Sequence, residues 1–178
     1  MMQPNILVAG IGNIFLGDDA FGCEVSRRLS QRKWPENVRV VDFGIRGFDL
    51  AYALLDGYDL TILVDATPRG DVPGTVYTIE PELDEVEISS TQGPLVATHG
   101  MDPVKVLGMV QSMGGQLKRV LLVGCEPETF GPEEGQMGLS EPVEAAASKA
   151  VTLVESLVEE ACHGQEQKQA SGAGKSCP

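Results

Sequence analysis

The feature that most constrains this chain is an alternation of short, uniformly apolar runs with amphipathic stretches of helical period. "NILVAG" (5–10) reads as a buried strand, and the stretch from Asp19 to Gln31 as a helix with Phe21, Val25 and Leu29 on one face. "VRVVDF" (38–43) is a second strand, followed by a short helix over "FDLAYALL" (48–55), and "LTILVDA" (60–66) is a third strand bounded by Gly57 and Pro68. The run "GTVYTIE" (74–80) follows too closely for a crossover helix, which makes it an antiparallel edge strand. A helix from Asp102 to Met113 carries Val104, Leu107 and Val110 on one side with Pro103 in its first turn, and "RVLLVGC" (119–125) is the last strand. Ser140 then caps a long helix through Ala161, with Val143, Ala147, Val151, Val154 and Val158 at helical spacing. Apolar strands alternating with helices imply an α/β fold. The expected architecture is a three-layer αβα sandwich around a mostly parallel, twisted sheet of about five strands, with one antiparallel edge strand.

With 178 residues, 42 % of them hydrophobic, the chain can bury one core, which sets a single domain over residues 1–162. The stretch from His163 to Pro178 is polar and rich in Gly, Gln and Ser, and is expected to be a disordered tail. A formal net charge of -13 excludes a nucleic-acid or anionic-membrane surface, since phosphate binding draws on clustered Lys and Arg. No apolar run approaches the roughly 20 residues that span a bilayer, and the N-terminus lacks a signal peptide's basic and apolar regions, so a cytoplasmic location is expected. Cys23, Cys125, Cys162 and Cys177 form no C-x-x-C pair, which fits reduced thiols; Cys23 and Cys125, among apolar neighbours, read as core residues.

The loop after the first strand, "GIGNIFLGDDAFG" (10–22), poses a choice between holding phosphate and presenting a carboxylate. Gly10 and Gly12 fit a dinucleotide-binding turn, but Phe15 stands at the third glycine, and Asp18 and Asp19 put negative charge where a pyrophosphate would lie. No Gly-Lys-Ser/Thr follows, so a Walker loop fails as well. The carboxylate reading gains from topology, because ligands of an open parallel sheet bind beyond the carboxyl ends of its strands. Three strands end near an acid there: Asp18 and Asp19 after the first, Asp42 at the second, Asp65 at the third. Taken singly, each is better explained as a helix cap or a turn residue; their convergence on one edge shifts the balance toward a site.

His99 is the only histidine before the tail and lies in the weakly periodic stretch 80–102, a candidate functional loop. Two carboxylates and an imidazole suit a borderline divalent ion with positions left open. A pair of acids serves equally as general acid and base without a metal, and spacing alone does not choose.

The ordered set "GIGNIFLGDDAFG" (10–22), "VDFGIRG" (41–47), "LVDA" (63–66), "ATHG" (97–100) and "GLSEPVEAA" (138–146) resembles the hydrogenase maturation endopeptidases, over nearly the whole chain to about residue 161. Those enzymes trim the C-terminus of nickel-iron hydrogenase large subunits. The resemblance implies that Asp19, Asp65 and His99 contact a metal. It also implies that the metal is nickel already installed in the precursor, so that no permanent cofactor is expected. Asp42, Gly44 and Gly47 match the family's D-x-G-T-x-G, with Ile45 where Thr is usual; Asp42 is a further candidate for catalysis or substrate positioning. The implied partner is a large-subunit precursor, engaged by a monomer. Two other classes stay open: a nucleotide-dependent enzyme on a similar sheet, and a non-proteolytic nickel-binding or assembly chaperone.

Overall fold

The structure, a computed structural model, describes residues 3–83, 96–97 and 100–172. In chain order the elements are β1 (Ile6–Ile11), a 3-10 turn (Gly17–Ala20), α1 (Phe21–Ser30), β2 (Val38–Gly44), α2 (Gly47–Leu54) and β3 (Leu60–Ala66). There follow β4 (Val76–Ile79), β5 (Val96–Ala97), β6 (Gly100–Met101), α3 (Pro103–Ser112), β7 (Arg119–Cys125) and α4 (Glu141–Gly172). Five strands form one sheet in the order β2-β1-β3-β7-β4, parallel except for β4, which pairs antiparallel with β7 at the edge. β5 and β6 make a separate two-stranded antiparallel pair.

Alternate residues of the strands feed two cores, as the strand period of two requires. Ile6, Val8, Ile62, Val64, Leu121 and Val123 pack with Phe21, Val25 and Leu29 of α1 and with the apolar stripe of α4 on one face. Leu7, Ala9, Ile11, Leu63 and Val120 meet Leu50 and Leu54 of α2 and Val106, Leu107 and Val110 of α3 on the other. The sheet is thus covered on both sides, and the expected αβα sandwich with one antiparallel edge is what the chain forms.

Several local expectations shift. The first helix begins at Phe21, because residues 17–20 form a 3-10 turn with Asp18 and Asp19 inside it. On α3, Val104 is 49 % exposed and Val106 takes its place in the core. The last helix extends to Gly172, beyond the expected end at Ala161, while residues 173–178, with Cys177, lie outside the described residues. Among the described residues, no helix is long and apolar enough to cross a membrane.

Two glycines let α1 lie close against the sheet. A Cβ on Gly10 would stand 2.2 Å from Ser26 Oγ, and one on Gly22 would stand 2.1 Å from the carbonyl oxygen of Val64. The close helix-to-strand approach that a dinucleotide turn obtains from its third glycine is therefore supplied by Gly22.

Candidate active site

β2 lies on one side of β1 and β3 on the other, so the strand order reverses direction at β1 and opens a crevice at the carboxyl ends of β1 and β3. Asp65, on β3, and Asp19, in the turn following β1, border this crevice. Asp42 stands at the end of β2, paired in register with Gly10; the next step in register runs from Ile11 to Gly44, so Phe43 forms a bulge. Such a bulge redirects side chains at a strand end.

The loop that carries Asp19 is folded tightly onto β1. Gly12 has φ +143, and a Cβ there would lie 1.8 Å from the carbonyl oxygen of Asp19, so only glycine allows the approach. The backbone N–H of Asn13 donates to Asp19 Oδ2 at 2.8 Å, which fixes one carboxylate oxygen. Gly12 N–H donates to the carbonyl oxygen of Gly44 at 3.1 Å, and Gly44 N–H donates to Asp42 Oδ1 at 2.9 Å. A continuous chain of backbone contacts therefore runs from the Asp42 turn to the seat of Asp19. Asp19 is nearly buried and Asp42 is exposed.

Electrostatics set Asp65 apart. Burial pushes its carboxyl well above the ordinary carboxylate range; the negative charge of Asp19 adds to this, the N–H of Ala66 opposes it, and Asp102 adds a smaller push. Asp65 therefore favours its neutral, proton-bearing form beside Asp19. Cys23, on α1, feels all three acids. Its thiol is driven far up by burial first, then by the charge and hydrogen bond of Asp42, then by Asp19 and Asp65. The Sγ donates to the carbonyl oxygen of Gly12 at 3.3 Å. A thiol held in its protonated form is a poor nucleophile. Cys125 is likewise pushed up to about 12 by burial, Asp18 and Glu126, and lies in the core as its sequence setting suggests.

Asp18, next to Asp19, has a separate set of contacts. It is fully buried, and its Oδ2 accepts from the N–H of Glu128 (2.8 Å), the N–H of Thr129 (3.0 Å) and Ser140 Oγ (2.9 Å). Its Oδ1 accepts from Ser140 N–H at 2.7 Å. The Ser140 hydroxyl expected to cap α4 is thus engaged with Asp18. Glu126, which follows β7, turns elsewhere: its carboxylate accepts from the N–H groups of Arg69 (2.6 Å) and Gly70 (3.3 Å) and ties down the loop after β3.

A trench passes Asp42. One cavity of about 350 Å³ is lined by Ile14, Cys23, Arg27, Asp42, Met137 and Leu139 among others. A second, of about 320 Å³, shares Ile14, Cys23 and Asp42 and continues past Phe43, Gly44 and Ile45. Ile14, Phe15, Ile45, Phe48 and Met137 are exposed large apolar residues. Ile14, Ile45 and Met137 are trench-lining residues, and they have no periodic signal in the sequence because they sit in loops.

The structure thus gathers Asp19, Asp42 and Asp65 about one strand edge. His99 lies outside the described residues, between β5 and β6 in the chain. Among the described residues, no group of three His, Cys, Asp or Glu side chains could hold a metal ion.

Residues 23–157 match a family model described as hydrogenase maturation protease (HycI), a span that includes Asp42, Asp65 and His99. The chain is 30 % identical over 150 residues to the hydrogenase 2 maturation protease of Escherichia coli, covering 84 % of this chain and 87 % of that protein. Among solved structures it superposes on the hydrogenase maturating endopeptidase HybD from E. coli with a TM-score of 0.69 at 30 % identity, covering 88 % of this chain and 93 % of the other. It also superposes on a hydrogenase 2 maturation peptidase from a Thaumarchaeota archaeon with a TM-score of 0.65 at 34 % identity, covering 86 % and 97 % of the two chains.

Proposed function

Because the chain belongs to the hydrogenase maturation protease family, and is accordingly a hydrolase that cuts a peptide bond, we propose that it removes the C-terminal extension of a nickel-iron hydrogenase large-subunit precursor after nickel has been inserted. The nickel is part of the substrate. Asp19, Asp65 and His99 are the groups that meet it, a donor set of two carboxylates and one imidazole that suits a borderline divalent ion. The observation that carries this reading is the placement of Asp19 and Asp65 at the β1/β3 switch point, with the charge of one raising the proton affinity of the other. Two acids arranged so that they resist being ionised together form a site that a docked dication would relieve, with Asp65 giving up its proton as the cation arrives.

The precursor's metal acts as a template and as a Lewis acid toward the scissile carbonyl. Asp42, exposed and on the wall of the trench, is placed to orient the polypeptide or to take a proton from the attacking water. The trench and its apolar rim give the polypeptide somewhere to lie. On this reading the protein works in the cytoplasm as a monomer in transient complex with its precursor, as one domain over residues 1–162.

The test is processing of a nickel-loaded precursor by Asp19→Ala and His99→Ala variants. Both are expected to stay folded and to leave the precursor's C-terminus intact. Normal processing by Asp19→Ala would remove the assignment, and a precursor that binds the wild-type chain without gaining a new C-terminus would favour an assembly chaperone.

A further inference from the structure

We propose that Asp18 is a positioning residue for Asp19. Its carboxylate clamps the turn that carries Asp19 to the loop joining β7 to α4, so the two adjacent acids divide the work of placement and chemistry. The functional half of this inference rests on the proposed peptidase reading; the structural half does not.

The clamp consists of side-chain and backbone contacts between two segments far apart in the chain. Asp18 accepts four hydrogen bonds, from Glu128 N–H, Thr129 N–H, Ser140 N–H and Ser140 Oγ, at 2.7 to 3.0 Å. Its own N–H donates to the carbonyl oxygen of Thr129 at 3.0 Å. Beside it, Gly17 N–H donates to the carbonyl oxygen of Gln136, and Gln136 N–H donates to the carbonyl oxygen of Phe15, both at 2.8 Å. Gly17 has φ +53, and a Cβ there would lie 2.9 Å from the carbonyl oxygen of Thr129, so the two loops meet backbone to backbone. An ionised carboxylate offers about four lone-pair sites and only acceptors, and all the groups that face it here are donors.

Asp19 is seated within its own loop, its Oδ2 accepting from Asn13 N–H and its backbone resting on Gly12. Beside the Gly12 N–H bond to Gly44, Asp18 adds a second hold on that loop from the segment Glu128 to Ser140. The same segment supplies Met137, Gly138 and Leu139 to the trench wall, so the clamp also joins the wall to Asp19. Asn at position 18 would keep the size of Asp but offer one acceptor oxygen, turning an amide NH₂ toward backbone donors.

Two measurements on the full chain test the inference. The first needs no substrate: hydrogen exchange of the Asn13 amide, whose hydrogen bond reports the seat of Asp19, is followed in wild type, Asp18→Asn and Ser140→Ala. Asp18→Asn is expected to lose on the order of 10-fold or more of its Asn13 protection while amides of β1 keep theirs, with Ser140→Ala showing a smaller loss of several-fold. Unchanged Asn13 protection in both variants overturns the inference; should Asp18→Asn fail to fold, Ser140→Ala alone decides in the same way. The second is steady-state cleavage of the nickel-loaded precursor. Asp18→Asn is expected to lower kcat by on the order of 10- to 100-fold with KM little changed, as displacement of a reacting group does. Wild-type kcat per folded molecule would overturn it. A wild-type chain that leaves the precursor uncut speaks against the peptidase reading instead, and the amide measurement still decides the role of Asp18.

Discussion

The carbonyl oxygen of Asp19 lies where a Cβ on Gly12 would come within 1.8 Å of it, so the residue that turns the chain out of β1 also sets the height of the acid seven positions later. Gly12→Ala therefore meets both a backbone clash and an unfavourable φ of +143. The expected cost is about 3 kcal/mol or more in chemical denaturation, with loss of processing in whatever fraction folds. A Gly12→Ala protein as stable and active as wild type would mean that the loop is free to move away from the sheet.

Asp65 gives a pH signature. Its raised proton affinity means that the folded state holds the proton more tightly than the unfolded chain. This contribution to stability is fully present below the ordinary carboxylate range and is lost as pH rises through the folded value. Asparagine does not titrate. Asp65→Asn should thus unfold at a higher temperature than wild type near neutral pH, with the gap narrowing as the solution is acidified. A gap that widens toward acid would show that Asp65 is stabilised in its charged form. The same variant is expected to be inactive, so that stability and function change in opposite directions.

Asp42 separates a turn role from a chemical one. Its Oδ1 accepts from Gly44 N–H, a contact that Asn can retain and Ala cannot. Asp42→Ala should cost about 1 kcal/mol from the lost hydrogen bond. Asp42→Asn should match wild type in stability while processing the precursor at least about 10-fold more slowly, the usual scale for a positioned acid or base. Equal processing by Asp42→Asn would reduce Asp42 to a turn residue.

Ile45, which stands where the resemblance expects Thr, is exposed on the trench wall. Ile45 is 44 % exposed and lies outside both cores, so the stability of Ile45→Thr should lie within about 0.5 kcal/mol of wild type by thermal melting. Its effect should appear instead in KM for the precursor, because the side chain faces the trench; an unchanged KM would place Ile45 outside the contact with the substrate.

The strands and the antiparallel edge are legible in the sequence, through the apolar runs and the closeness of β3 to β4; the order of the strands is not, since β7 lies between β3 and β4 in the sheet. The placement of Asp42 and Asp65 at strand ends followed directly. The pair Asp18 and Asp19 could not be told apart in the same way. Asp18's partners are 110 and more positions away, at Glu128, Thr129 and Ser140, and no local period reports a contact of that separation. Both acids also lie in a 3-10 turn that helical spacing extends into α1. Ser140 stands at the N-cap position expected of it, directly before Glu141, and the sequence does not show that its hydroxyl donates to the distant Asp18. Val104 fits the apolar period of α3 but falls at its N-terminal end, beyond the core that Val106 fills. Gly22 carried a hint: a glycine inside a helical pattern often marks a close approach, here to β3.

Cleavage by this protein should wait for nickel in the substrate. Mass spectrometry of a hydrogenase large-subunit precursor, nickel-loaded and nickel-free, after incubation with the full chain, decides this. Loss of a C-terminal peptide from the nickel-loaded form alone is expected. Equal cleavage of both forms, or of neither, would show that nickel does not gate the cut.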